Sequence, residues 1–237
     1  MLTPFRKRAL GASALILAGL RYKLGLRIRP PYTLEDMARD ALGVLDALGV
    51  ARAHIVGVSM GGMIAQRAAI AAPQRVISLT SIMSSSGAKN LKQAHPDVTR
   101  VLISRPASAE LEAVVDHYVK LYRTIGSPDY PTPEPELRER IARGVQRSYH
   151  PAGVRRQMLA ILADITRAAQ LSRITSPTLV LHGRADPLVP FEHGEDVARR
   201  ISGARLVGID GMGHDLPPEP LAQILDALIP HLQAAKP

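Results

Sequence analysis

His54-Ile55-Val56-Gly57-Val58-Ser59-Met60-Gly61-Gly62-Met63 decides how the rest of this chain is read. Residues 53–58 are a short apolar run with several β-branched members, which suits a buried strand of a parallel sheet. A glycine-rich turn follows at once, and residues 63–72 read as a helix that Pro73 ends. Strand, turn and helix in direct succession leave no room for a loop. Gly57 and Gly61 stand two positions either side of Ser59, where so tight a turn would make side chains clash. Such a turn lifts the serine hydroxyl out of the sheet and aims it at the start of the helix. There the backbone N–H of Met60 is free to receive an oxyanion. A plain structural turn is the competing reading. The position between strand and helix, and the extra Gly62, weigh against it.

Upstream, Thr33 and Asp36 form a capping box, and Leu34, Met37, Ala41, Leu45 and Leu48 recur at helical spacing until Gly49 stops the helix. Downstream, residues 76–83 read as a second strand. Residues 87–173 lack a strong strand signal and read as several helices. A loop at 126–136 with Pro128, Pro131, Pro133 and Pro135 breaks them. Strand character returns at 178–182 and 205–209, with a helix at 191–201 between them and a last helix at 221–232. Strands alternating with helices predict an α/β fold, a parallel sheet flanked by helices with a helical cap inserted over one end. The expected divisions are a basic and apolar N-terminal segment at 1–31, a core at 32–86 and 174–237, and the cap at 87–173.

Composition narrows the function classes. The 237 residues are 46% hydrophobic but only 3% aromatic, with neither Cys nor Trp. Disulfides, thiolate metal sites and cysteine nucleophiles are thereby excluded. The net charge of +9 comes from one end. Arg6, Lys7, Arg8, Arg21, Lys23, Arg27 and Arg29 face no acid before residue 30, whereas 23 basic and 21 acidic residues follow it. Local basicity without a recognition motif or stacking aromatics speaks against a nucleic-acid partner. The apolar run 9–20 is too short to span a bilayer, which takes about twenty residues. Arg21-Tyr22-Lys23 stands where a signal peptide would carry small residues. A retained helix packed on the body or on a second chain is expected, with a cytoplasmic location and no membrane partner.

A serine hydroxyl becomes a strong nucleophile only when a base takes its proton. Among eight histidines, His214 has the fitting context, a loop Gly211-Met212-Gly213-His214 directly after a strand. His54 and His182 lie within strands and read as structural, and His95, His117, His150, His193 and His231 lack such a loop. The base in turn needs a carboxylate to hold its tautomer. Asp186 follows the strand at 178–182, at the carboxyl edge where α/β sheets place their sites. As a bland alternative, Asp-Pro simply starts a turn. Asp210 and Asp215 are the fallback acids. The order Ser59, Asp186, His214 is the one expected where a serine sits on a strand-to-helix elbow.

From about Pro30 onward the chain resembles the α/β-hydrolase superfamily, and within it the aclacinomycin-methylesterase-like carboxylesterases. The resemblance rests on Tyr32–Ala38, His54–Met63, Leu181–Pro190 and Gly211–Pro217. It implies hydrolysis of small-molecule carboxylic esters through an acyl-serine, with no cofactor and no metal. An acyltransferase or perhydrolase with the same triad is the rival enzyme, and a weakened remnant acting as a binding protein is the rival outside catalysis. Haloalkane dehalogenases and epoxide hydrolases fit less well, since they need Asp where Ser59 stands. The resemblance also implies a strand ending in His-Gly ahead of residue 32, whose loop supplies a second oxyanion N–H. This chain has no His before His54. The fold is therefore expected to be shortened at its N-terminal side, its second oxyanion donor unknown. A homo-oligomer with residues 1–31 at the contact is expected to cover the edge left open. Met83, Met158, Ile161 and Leu162 are guesses for the pocket lining, with buried core the more ordinary fate of each.

Overall fold

The sheet in this computed structural model, which describes residues 12–236, has four parallel strands among those residues, and their order across the sheet is their order along the chain. Helices α1 (Ala12–Lys23) and α2 (Leu34–Ala47) lead into strand β1 (Ala53–Val58), helix α3 (Met60–Ala71) and strand β2 (Val76–Ile82). Four helices follow, α4 (Pro96–Ile103), α5 (Leu111–Ile125), α6 (Glu134–Arg147) and α7 (Pro151–Ala163), without an intervening strand. Strand β3 (Thr178–Gly183), helix α8 (Glu192–Arg200), strand β4 (Arg205–Ile209) and helix α9 (Pro218–Ala234) complete the chain.

Each strand pairs in parallel with the next, Val58 opposite Ile82, Ile82 opposite Leu181, and Gly183 opposite Ile209. Successive crossovers of one hand place their helices on one face. On that face Ala65, Ala69 and Ile70 of α3 and Val197 of α8 meet Leu79 and Val180. The other face carries Ile82, Leu179, Leu181 and Ile209 and is closed by Ile224 of α9. Met83, considered for the pocket, is buried in this second cluster beside Met212. Ile161 packs on Leu34, Met63 and Ala160, while Met158 and Leu162 are half-buried.

The Thr33–Asp36 capping box forms with both of its bonds, and Gly49, at φ +68°, turns the chain after α2. The apolar stripe expected along α2 is covered only at its start. Leu34 and Ala38 are buried and Met37 half-buried, Leu45 is only half-buried, whereas Ala41 and Leu48 are exposed. Strand β1 departs further from expectation. It is the end strand of the sheet, and Val56 and Val58 are 44% and 39% exposed. Both valines lie on the face opposite Ile55, which is the α9 face, and α9 packs on β3 and β4.

Helix α3 starts at Met60, three residues earlier than its composition suggests, because Gly61 and Gly62 are helical rather than part of the turn. Helix α9 starts at Pro218 rather than 221, since Pro218 and Pro220 sit in the first turn, where a missing N–H costs nothing. The helix read from the apolar run is α1, lying on α7 with Ala18 buried; residues 9–11 of the run lie outside the described residues. No helix among the described residues is long and apolar enough to cross a membrane.

A buried polar network joins α3 to the end of the helical insertion. Arg67 and Arg167 both bind the Asp164 carboxylate, and Arg167 also donates to Gln66 and to the Ser85 carbonyl. Burial pushes the Arg167 guanidinium below its usual pKa, against the opposing pull of Asp164. A carboxylate shared by buried cations couples the two segments strongly, because losing it would strand charge in the interior.

Candidate active site

Ser59 occupies the strained corner between β1 and α3, with φ 53° and ψ −120°. Its backbone N–H donates to the Ile82 carbonyl at 2.9 Å, and its own carbonyl accepts from Ser84 Oγ at 2.7 Å. The corner is thus pinned to the end of β2 through its N–H and to Ser84, just beyond β2, through its carbonyl. A Cβ on Gly57 would overlap the backbone of Gly61 and Gly62. The second glycine requirement falls elsewhere than expected. A Cβ on Gly61 would meet open space, whereas one on Gly62 would lie 2.6 Å from Ser84 Cβ. Close approach of α3 to the end of β2, rather than the turn itself, is what demands glycine there.

The His214 ring bridges the other two side chains. Its Nε2 lies 2.9 Å from Ser59 Oγ and its Nδ1 2.7 Å from Asp186 Oδ2. Asp186 Oδ1 accepts from the backbone N–H groups of Leu188 at 2.9 Å and Val189 at 2.8 Å. A carboxylate only accepts, so Nδ1 carries the proton and Nε2 faces the serine with a free lone pair. Asp186 is buried and His214 nearly so, which keeps this chain of bonds out of competition with bulk water. Met60 N–H belongs to the first turn of α3, where backbone donors have no acceptor within the helix.

The other candidates are accounted for. Asp210 is exposed, 3.0 Å from Arg184 Nε, and Asp215 accepts from Ser127, so neither fallback acid meets the His214 ring. His54 bonds Ser78 and His193 bonds Ser85. His95 caps α4, and His117 packs edge-on against Tyr118. His150 precedes α7 and His231 lies in α9. His182 is fully buried, and its Nε2 donates to the Val189 carbonyl at 2.7 Å, bracing the turn that holds Asp186. Burial holds this imidazole below its ordinary pKa, against the pull of the Val189 carbonyl and Asp186, so it is neutral. Ser84 and the N–H pair of Leu188 and Val189 were not singled out from the sequence. Asp followed by acceptor-seeking N–H groups two and three residues on is a turn signature, and it is the one local signal for that pair.

A family model described as the alpha/beta hydrolase fold matches residues 19–220. The chain belongs to the α/β-hydrolase family. Rhodomycin D methylesterase DnrP of Streptomyces peucetius is 33% identical over 230 residues, covering 86% of this chain and 75% of the relative. Rhodomycin D methylesterase DauP of Streptomyces sp. (strain C5) is 32% identical over 239 residues, covering 91% and 77%. Among solved structures, the enol-lactonase from Burkholderia xenovorans LB400 superposes with a TM-score of 0.67 at 24% identity, covering 86% of this chain and 75% of that one, a likeness of fold. The α/β-hydrolase assignment and the resemblance to methylesterases expected from the sequence both hold, and they mark the chain as an enzyme of the hydrolase class.

Proposed function

We propose that this hydrolase is a serine carboxylesterase acting on small-molecule esters, and that Ser59, His214 and Asp186 are its catalytic triad. The observation that carries the reading is the His214 ring, within hydrogen-bond distance of Ser59 at one nitrogen and of Asp186 at the other. As Ser59 Oγ attacks the ester carbonyl carbon, His214 Nε2 takes its proton and the C=O electron pair moves onto oxygen. Asp186 stabilises the imidazolium that results, and Met60 N–H donates to the oxyanion. Collapse of the intermediate expels the alcohol, which leaves with the proton from Nε2, and Ser59 is acylated. Water then attacks the acyl carbon, giving one proton to His214. The acid is released as that proton returns to Ser59. The names of the methylesterase relatives favour a methyl ester as substrate, with methanol as the first product.

Labelling with a fluorophosphonate, with turnover of p-nitrophenyl butyrate followed in parallel, tests the reading. The native protein should take the label at Ser59. Ser59→Ala should lose the label and about 10⁶ in turnover while keeping its circular dichroism spectrum. A Ser59→Ala protein with most of its activity sinks the triad assignment, and a native protein that neither labels nor turns over sinks the esterase reading and leaves a binding role.

A further inference from the structure

The loop that carries His214 is not held by the sheet alone. Three successive residues of it are bonded to two residues at and just beyond the end of α5, Ile125 and Ser127. Gly213 N–H donates to Ser127 Oγ at 2.9 Å, and His214 N–H donates to the Ile125 carbonyl at 2.7 Å. Asp215 Oδ1 accepts from Ser127 N–H at 2.9 Å and from Ser127 O–H. Ser127 is buried and uses its hydroxyl in both senses, as donor to Asp215 and as acceptor from Gly213. The fit is close as well as bonded. A Cβ on Gly213 would overlap the Gly126 backbone, and one on Gly126 would lie 2.7 Å from the Tyr122 carbonyl and 3.1 Å from Asp215 Oδ2.

What lies beside this junction matters. A cavity of about 330 Å³, lined by Gly126, Ser127, Leu137, Ala185, Pro187 and Asp215, separates the proline loop from the turn around Asp186. Of the loop, Asp215 alone lines this cavity; where a side chain faces open space, packing does not fix its position and directional hydrogen bonds must. The opposite side of the loop is tied to the Asp186 turn by Ala185 N–H donating to the Met212 carbonyl at 3.0 Å. His214 therefore hangs between two supports, the end of β3 and the end of α5.

We propose that Ser127 and Asp215 are positioning residues for the reaction, acting through the backbone of His214 to hold its ring in register with Ser59. This rests on the esterase reading above. Neither residue touches the His214 ring, so their effect is confined to where the ring sits. A displacement of about 1 Å at a catalytic group costs on the order of 100-fold.

The test compares Ser127→Ala and Asp215→Ala, which break the clasp, with Ser127→Thr and Asp215→Asn, which keep a hydroxyl and a side-chain acceptor in place. On p-nitrophenyl butyrate the two Ala variants should lose about 10- to 100-fold in kcat with KM within about threefold. The double Ala variant should be little worse than either single one, because both break the same link. The Thr and Asn variants should recover most of kcat. A second readout does not depend on turnover. The downfield NMR resonance of His214 Nδ1–H, identified by its loss in His214→Ala, should shift or broaden in the Ala variants and stay put in the conservative ones. Should Asp215→Ala fail to fold, Ser127→Ala, which removes a single hydroxyl, carries the comparison. Ala variants with kcat within twofold of the native protein, or with that resonance unmoved, overturn the clasp. Asp215→Asn as impaired as Asp215→Ala does so too. An inactive, unlabelled native protein would instead sink the esterase reading, and the resonance would still decide the clasp.

Discussion

Replacing Asp186 by Asn changes one atom and should invert the tautomer of His214. The amide has one acceptor and one donor end, and its surroundings choose which faces where. Leu188 N–H and Val189 N–H both point at the Oδ1 position, at 2.9 and 2.8 Å. Turning the amide NH2 toward them would leave two buried backbone donors without acceptors, at about 1–3 kcal/mol each. The amide oxygen therefore keeps that place by roughly 2–6 kcal/mol, and the NH2 faces His214 Nδ1. Nδ1 must then accept, so the ring proton moves to Nε2, the atom 2.9 Å from Ser59 Oγ. A protonated Nε2 has no lone pair with which to take the serine proton. The expected loss in kcat is on the order of 10⁴, equivalent to about 5.4 kcal/mol at 1.36 kcal/mol per decade. KM for p-nitrophenyl butyrate should change little, since Asp186 is buried behind the ring. The loss is smaller than for Ser59→Ala, because the nucleophile and oxyanion donor remain. Steady-state kinetics with a thermal melt to check folding measures it. An Asp186→Asn enzyme within tenfold of native kcat would refute the tautomer argument.

Two further expectations come from packing. Gly62→Ala should lower the thermal midpoint by about 2–12 °C, from an overpacking cost of about 1–3 kcal/mol against Ser84. Gly61→Ala, facing open space in a helix, should be neutral or stabilise by up to about 1 kcal/mol; the reverse ranking in a melt would count against the local geometry. The outer edge of β1, unpaired among the described residues and with Val56 and Val58 exposed beside it, leads us to propose a homo-oligomer that covers this side, with residues 1–31 at or near the contact. Light scattering at micromolar concentration should give at least a dimer mass, and Val58→Lys should weaken the association. A clean monomer would remove the proposal.

Elements governed by local chemistry were legible in the sequence. The capping box at Thr33, the strand-to-helix corner at Ser59 and the turn at Gly49 each depend on residues within a few positions of one another. The alternation of strands with helices follows from periodicity in the same way. The chain order of Ser59, Asp186 and His214 was readable because the fold presents strand ends at one edge in sequence order. Tertiary structure decided what order and periodicity do not encode. His214 reaches a serine 155 residues away, and it meets Asp186 rather than the nearer Asp210 or Asp215 because loops at neighbouring strand ends converge while adjacent residues diverge. An apolar strand says that burial is favourable, but not that a neighbour stands on each side, so β1 turned out to be an edge. Besides Gly57, the glycine that must lack a side chain is Gly62 rather than Gly61, since the atom that would collide belongs to Ser84, outside the helix. Ser127 carried no local signal at all; only the approach of α5 to the loop after β4 gives its hydroxyl two partners.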